Sequence, residues 1–379
     1  MEAAPSKPRK LKLVVSDFHL GSGLYLKDGT RNILEDFQYD DAFISFLNYH
    51  GSGEYFDAEI ELVINGDFMN LLQINYKGVH THLITERIVL EGLRQSVNGH
   101  AELFRALRRF AAAPNHSVVY VIGNHDQGML FGQVRKYFVE VLNHEVRFYD
   151  SHYEFDGIRI EHGHMHEWSS RFDSRRYFVS RGLPEPVLNL PWGSRFVAEF
   201  LPKIKMERPY VDKVKPFRHL LRWMFVNDTF FAFKAGLRVI WYFIKSLVLQ
   251  RLGRHFTWRG TLDLIKSITI YPDFDREARK IMMLNPEIHT LIMGHTHVLH
   301  YRRYPEGREY YNIGTWNEAT NLSIANLGTM VALSYARIEF PELPADVDPT
   351  TAHDKASLRP KVKLKEWKGV WRPEVDAAI

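Results

Sequence analysis

The sequence predicts an α/β fold, and three observations predict it. Five short apolar runs with β character each end at a cluster of Asp, Asn, His and Gly. Long segments with helical periodicity separate the first three of them, and strands alternating with helices imply an α/β architecture. The composition, 45% apolar and 25% charged over 379 residues, is that of an ordinary globular protein. Polar clusters just past strand ends are where α/β sheets place their ligands.

In chain order, the run 11–15 (LKLVV) leads into SDFHLG, 60–65 (IELVIN) into GDFMN, and 118–122 (VVYVI) into GNHD. The run 158–161 (IRIE) leads into HGHMH and 289–293 (HTLIM) into GHTH. The segment Ile84 to Phe110 carries helical periodicity, and residues 299–335 return to β character. Residues 167–275 interrupt this rhythm with basic, aromatic-rich sequence. After Phe340 the chain holds five of its 17 prolines and alternating charges. The expected organisation is therefore a core from 1–166 and 276–340, a helical insertion over 167–275, and an extended or partly disordered tail over 341–379.

The chain has no cysteine, so disulfides, thiolate metal sites and Cys nucleophiles are excluded. Metal chemistry would fall to Asp, Glu, Asn and the 19 histidines. The net charge of +4 conceals an asymmetry. Residues 201–260 hold six Lys and seven Arg against Glu207, Asp212 and Asp228, a net +10, which leaves −6 on the remainder. Such a patch points to an anionic partner. The first ten residues do not read as an export signal. The most apolar window, Thr229 to Gln250, is interrupted by Lys234, Arg238 and Lys245 and falls short of the ~18 apolar residues a membrane span needs. A cytoplasmic protein, peripheral on the inner face of a membrane, is the expectation.

Chemistry enters with the five clusters taken together. Asp17 and His19 stand two apart, Asp67 follows the second run, Asn124 and His125 the third, His162, His164 and His166 the fourth, and His295 and His297 the fifth. One such residue at a strand end is usually only structural, and the twelve remaining histidines, His50, His80 and His82 among them, read that way. Five clusters in order are another matter. A mixed Asp/His/Asn set suits manganese, iron or zinc. It exceeds the needs of one ion, so two divalent ions with a carboxylate between them are expected, about 3.5–4 Å apart, clamping a phosphoryl group.

The ordered set SDFHLG, GDFMN, GNHD, HGH and GHTH closely resembles the calcineurin-like metallophosphoesterase superfamily, whose pattern is DxH, GDxxD, GNH[DE], a His-containing HG motif and GHxH. The resemblance spans residues 13–297 with the insertion outside it. It implies a sandwich of two β-sheets flanked by helices and a dinuclear site at the strand ends. It further implies that Asp17, His19 and His297 hold the first ion, that Asn124, His162 and His295 hold the second, and that Asp67 bridges. His125, beside Asn124 in the catalytic motif, would face the leaving group as general acid or charge stabiliser while a bridging hydroxide attacks phosphorus in line. Two positions depart from the pattern. Asn70 replaces the last Asp of GDxxD, so it can orient His125 but not stabilise an imidazolium by charge. His164 stands where some members have Asp. Asp126 reads as a loop-shaping residue. Gly66, Gly123, Gly163 and Gly294 each sit beside a ligand, where a missing side chain lets the backbone come close.

Substrate choice is expected from the insertion. At 100° per residue, Asn227, Lys234, Arg238 and Lys245 fall within about 40° of one another, opposite a broad face from Phe230 to Val248. That pattern fits an interfacial helix on anionic lipid over about 217–252, a lid over an acyl chain, or a core helix with a solvated stripe. A cationic, apolar insertion ahead of GHTH is more loosely similar to bacterial UDP-2,3-diacylglucosamine pyrophosphatases, although those commonly carry Arg where His125 stands. Three functions are expected, in order. The first is a phosphohydrolase acting on a phosphodiester or pyrophosphate, lipid-linked as in UDP-diacylglucosamine. The second is a DNA exonuclease or general phosphodiesterase of the same superfamily, with nucleic acid the lesser partner. The third is a non-catalytic scaffold.

Overall fold

The computed structural model describes residues 9–377 apart from 27, 210, 212–213, 216, 252–272, 322–327, 342–358 and 374. The end of the insertion and the middle of the tail lie outside the described residues.

The five apolar runs are strands Lys10–Val15, Glu59–Asn65, His116–Val121, Ile158–Glu161 and Thr290–Met293. They divide between two sheets. The seven-stranded sheet runs in the order Val375–Asp376, Lys361–Glu366, Ser334–Glu339, Lys10–Val15, Glu59–Asn65, His116–Val121, Val146–Tyr149. Lys10–Val15 pairs in parallel with Glu59–Asn65, which pairs in parallel with His116–Val121. The five-stranded sheet runs Leu299–Arg303, Glu309–Ile313, Thr290–Met293, Ile158–Glu161, His152–Phe155, and its three inner strands are parallel. Lys361–Glu366, in the segment expected as an extended tail, is extended and pairs with Ser334–Glu339 over six positions.

Side-chain alternation builds the layers. Leu13, Val15, Ile60, Leu62, Ile64, Val118 and Tyr120 point to the helices Asp40–His50, Glu86–Gly99, Ala101–Ala111 and Gly132–Leu142. Val14, Val63, Val119 and Val121 point the other way and pack with Ile158, Ile160, Ile292 and Ile313 of the second sheet. The outer face of that sheet, with Leu291 and Met293, is covered by helix Phe274–Leu284. The result is helix, sheet, sheet, helix, with all parallel strands of both sheets delivering their carboxyl ends to one edge.

The helical stretch from Ile84 to Phe110 is two helices rather than one, broken at Gly99 and His100. His100 is buried, its Nδ1 2.8 Å from Asp40 and its Nε2 3.5 Å from Glu35. Glu35 in turn accepts the amides of Gly21 (2.9 Å) and Gly23 (2.6 Å), in the loop that follows His19. Burial alone would lower the His100 pKa, but Asp40 and Glu35 outweigh it and raise it from 6.5 to about 9. Burial would raise Glu35, yet His100 and the two amides hold it below 4.5. A raised His stabilises the fold fully below its unfolded pKa and loses that effect as pH rises through the folded one. A depressed Glu stabilises above its unfolded pKa and loses that as pH falls. Urea unfolding is therefore expected to show the largest contribution of this pair between about pH 5 and 6.5, with up to about 3 kcal/mol lost by pH 9. The His100→Ala variant should lack the alkaline decline.

The described part of the insertion has its own small core, in which Phe200, Ile204, Leu220, Met224, Phe231, Ala235 and Tyr242 pack together. Helix Leu201–Glu207 is fixed to the first domain by Lys205, wholly buried, whose Nζ lies 2.6 Å from Asp36. On helix Thr229–Arg251, Lys234 and Arg238 of the expected cationic stripe pair with Glu207. No described helix is long and apolar enough to cross a membrane.

Candidate metal centre

All seven expected ligands meet at the shared strand edge. Asp17 and His19 lie just past Lys10–Val15, Asp67 past Glu59–Asn65, and Asn124 past His116–Val121. His162 follows the first inner strand of the second sheet, and His295 and His297 the next. The loops are stitched together by backbone bonds: His19 N–H donates to Asp67 O at 2.8 Å, Asp17 N–H to Gly66 O at 3.2 Å, and Gly294 N–H to His162 O at 3.0 Å.

Five of these residues are held in the left-handed region: Asp17 (φ 59°), His19 (54°), Asp67 (51°), His295 (68°) and His297 (58°). Only three other non-glycine residues among the described ones share it. Such backbone costs of order 1 kcal/mol or more per residue and persists where the surroundings impose it, typically at functional sites. Here it turns each carboxylate or imidazole off its strand end and back over the sheet edge. Two glycines make room for this. A Cβ at Gly123 would overlap the Asp67 carboxylate, and one at Gly294 would overlap Ser16 and Asp17.

The ligand atoms fall into merged groups: Asp17, His19 and His297; His19, Asp67 and His125; and Asp67, His162 and His295. Asp17 Oδ1 lies 3.2 Å from His297 Nε2 and 3.8 Å from His19 Nε2, and those two imidazole nitrogens are 3.1 Å apart. Asp67 Oδ2 lies 3.2 Å from His162 Nε2 and 3.8 Å from His19 Nε2. Asn124 Oδ1 is 3.2 Å from His162 Nε2, whose Nδ1–H is fixed by Asn65 O at 2.9 Å. Asp67 thus stands between the two remaining sets. Burial pushes Asp17 and Asp67 up, but His162 and the other imidazoles outweigh it and hold both below the usual carboxylate range. Burial likewise lowers His162, and Asp67 and Asp17 carry it up to about 10. Asp17 Oδ1 is buried and accepts no hydrogen bond, and imidazole nitrogens crowd within hydrogen-bonding distance of one another. A set of hard and borderline donors with an orphaned carboxylate oxygen at its centre fits divalent cations.

His125 is only part-buried. Its backbone N–H donates to Asp67 Oδ1 at 2.7 Å and its Nδ1 lies 3.2 Å from Asn70 Oδ1. Withdrawal from water lowers its pKa; Asp67 opposes this, while His19, His297 and His162 reinforce it, leaving about 3. Asp126 does not reach the site. Its carboxylate accepts the amides of Phe68 and Gly123 and the Tyr120 hydroxyl, shaping the loop between the second and third motifs. His164 is buried, its Nε2 3.2 Å from Gln127 Nε2 and its Nδ1 without a partner. His166 turns away to Glu161 at 2.5 Å.

Several supporting residues carry no sequence signal of their own. Thr315 Oγ1 and Asn317 Nδ2 donate to the carbonyls of Asp17 and Phe18 (2.7 Å each), and Asn312 Nδ2 to Gly294 O (2.7 Å), so the segment 312–317 pins both metal loops. Glu167 is the most consequential. Its Oε2 is 2.5 Å from His295 Nε2, and Ser169 Oγ donates to its other oxygen at 2.8 Å. With Nε2 committed to a carboxylate, His295 has Nδ1 left for an ion, the carboxylate–imidazole–metal arrangement that fixes ring and tautomer. Glu167→Ala should weaken metal affinity about 10–100-fold, measured by calorimetric titration of the metal-free protein. Unchanged affinity would reduce Glu167 to a packing residue.

No protein-family profile matches the chain, and no curated protein matches it. Among solved structures it is similar to a predicted phosphoesterase from Streptococcus pneumoniae (11% identity, 95% of this chain and 91% of that one, TM-score 0.28). It is similar also to a Vps29 single mutant from Entamoeba histolytica (12%, 94% and 99%, 0.26) and to a dimetal phosphatase from Danio rerio (9%, 88% and 93%, 0.33). Superpositions this loose carry no weight beside the chain's own geometry. In the order of its motifs, in its paired sheets flanked by helices, and in the meeting of the motif residues at one sheet edge, the chain resembles the calcineurin-like metallophosphoesterases.

Proposed function

We propose that the chain is a two-metal phosphohydrolase that cleaves a phosphodiester or pyrophosphate bond. The observation that carries the reading is the convergence of Asp17, His19, Asp67, Asn124, His162, His295 and His297, five of them in left-handed backbone, on one sheet edge around a hydrogen-bond-free carboxylate oxygen. Asp17, His19 and His297 would hold one ion, Asn124, His162 and His295 the other, with Asp67 shared. Manganese is the first choice, with iron and zinc as alternatives. Two such ions supply Lewis-acid polarisation of a phosphoryl group and an acidified water. The chain's own contribution is positional. Asn70 Oδ1 accepts the hydrogen bond from Nδ1–H of His125 and fixes the orientation of its ring on the leaving-group side. Asp126 fixes the loop that carries Asn124 and His125, and Glu167 fixes His295. Metal analysis after manganese dialysis, with an activity screen over phosphomonoesters, phosphodiesters and nucleotide-diphospho-lipids, tests this. Two ions bound and diester hydrolysis are expected. An empty site would instead favour the scaffold reading.

A membrane-surface substrate is the finer reading, and one feature favours it. On helices Phe217–Asn227 and Thr229–Arg251, Val226, Phe230, Phe233, Leu237, Ile240, Trp241 and Ile244 recur at three- and four-residue steps, and all are exposed, Phe230 by 81% and Trp241 by 67%. A stripe of that kind in a segment of net +10 matches an interfacial helix on anionic lipid. Flotation with vesicles containing phosphatidylglycerol should carry the protein, neutral vesicles should not, and Phe230→Ser with Trp241→Ser should abolish it. Salt-sensitive binding to single-stranded DNA without flotation would favour the exonuclease reading instead.

A further inference from the structure

A cavity of about 380 Å³ lies beside the metal centre, within the size range of small-molecule sites. Two of its walls grow directly out of metal motifs: the loop after His19 supplies Gly21, Ser22, Leu26 and Arg31 to Leu34, and the loop after Asp67 supplies Asn70 and Gln73 to Asn75. Helix Glu86–Gly99 forms the back, and Met206 of the insertion stands at the rim. Asn70 connects the two places, because it lines the cavity and its Oδ1 holds His125. The cavity is therefore on the leaving-group side of the reaction proposed above.

Its chemistry narrows what it can accept. Among the described residues, no Asp, Glu or Lys lines it. The polar lining is mainly carboxamide and hydroxyl, and much of it is already engaged. Asn32 donates to Ser22 Oγ and Gly23 O and accepts Leu34 N–H. Asn75 Oδ1 accepts Gly78 N–H. Gln73 differs. Its Oε1 is buried and accepts no hydrogen bond. Leaving a buried carbonyl oxygen unsatisfied is costly, and a ligand that brings a donor recovers that cost. Arg31, the single Arg of the described lining, already donates to Gln38 at 3.0 Å. Such a lining, carboxamides and hydroxyls set among Leu26, Ile33, Leu34 and Ile74, does not suit a cationic headgroup, which would find no carboxylate.

Building on the phosphohydrolase reading, we infer that this cavity receives a neutral, hydroxyl-rich alcohol, of polyol or glycosyl size, esterified to the phosphate that is cut. Gln73 accepts one of its hydroxyls. The insertion serves as the rim of this pocket: buried Lys205, paired with Asp36, clamps helix Leu201–Glu207, and with it Met206, against the loop that forms the cavity wall.

The test uses the full-length manganese-loaded protein. Hydrolysis of glycerophosphoinositol, glycerophosphocholine and bis(p-nitrophenyl) phosphate is compared in the wild type, in Gln73→Leu, which keeps the volume and removes the acceptor, and in Ile33→Trp, which fills the cavity from its exposed rim. The inositol-to-aryl ratio of kcat/KM should fall at least tenfold in both variants. Saturation-transfer NMR with free myo-inositol on the same three proteins reads the cavity without any turnover. An inositol signal present in the wild type and abolished in both variants supports the cavity even if none of the esters is cleaved, in which case the phosphohydrolase reading alone fails. Diester hydrolysis with an unchanged ratio, or an inositol signal that survives Ile33→Trp, would overturn the inference and leave the hydrolase standing.

Discussion

Replacing Asp67 by Asn is expected to lower diester hydrolysis by about 10²–10³-fold, the scale of losing one preorganised charge-stabilising group, while leaving the fold intact. Asn is the informative substitution. Position 67 has φ 51°, a conformation Asn tolerates at least as well as Asp, so the backbone has no reason to move. The amide oxygen can still accept the His125 N–H now bound by Asp67 Oδ1 at 2.7 Å. What changes is the other atom. An NH₂ replaces the oxygen that faces His162 Nε2 at 3.2 Å and His19 Nε2 at 3.8 Å, turning a shared anion into a donor aimed at the place both ion sites have in common. Metal content by mass spectrometry should drop from two ions per chain toward one or none, with circular dichroism unchanged. A variant that keeps both ions and most of its activity would remove Asp67 from the centre of the site.

The site was legible because its chemistry is concentrated in residues that stand beside strand ends. An apolar run followed at once by DFH, GD, GNHD, HGH or GHTH reports both the strand and the candidate ligand, and parallel pairing then forces those ends to one edge. What escaped is what reaches the site from elsewhere. Glu167 is five residues beyond His162, and nothing in HMHEW marks its carboxylate as the partner of His295. Thr315 and Asn317 act through backbone carbonyls of a loop about 300 positions away, a relation that only the strand order creates. The left-handed backbone was equally silent, because Asp and His visit that region only occasionally where Gly does so freely. The tail strand is a different case. In KVKLKE, Val362 and Leu364 alternate with charges and pack on the layer between the sheets, a period-two pattern that surrounding prolines obscured. Its lysines suit a strand near a sheet edge. The helix break at Gly99 and His100 has a related origin: helical periodicity runs across it, and the turn is held by the buried contacts of His100 with Asp40 and Glu35 and by Gly99 packed against Ser22 and Gly23.

Far from the metals, at the opposite end of the same strands, Glu61→Ala is expected to destabilise the fold by about 3–5 kcal/mol, the cost of breaking a buried ion pair from one side. Lys12 and Glu61 are 7% and 8% exposed, paired across neighbouring strands. Tyr153 donates to Glu61 at 2.9 Å, Arg147 pairs with its second oxygen, and the Lys12 ammonium lies 4.4 Å from the centre of the Phe155 ring. Burial lowers the Lys12 pKa even with Glu61 present to oppose it. Without Glu61, two cations face each other in an aromatic surround, and Lys12 must release its proton or stay charged without a partner. The cost should therefore shrink as pH rises and Lys12 becomes neutral. The difference between wild type and Glu61→Ala in urea unfolding should narrow from pH 7 to pH 9, and the His100 pair, common to both proteins, cancels from that difference. Adding Lys12→Met should recover most of the loss, since an apolar side chain of similar length leaves no charge to compensate. If the single and double variants unfold at the same urea concentration at pH 7, the stranded ammonium is not the origin of the loss, and the missing packing of Glu61 is.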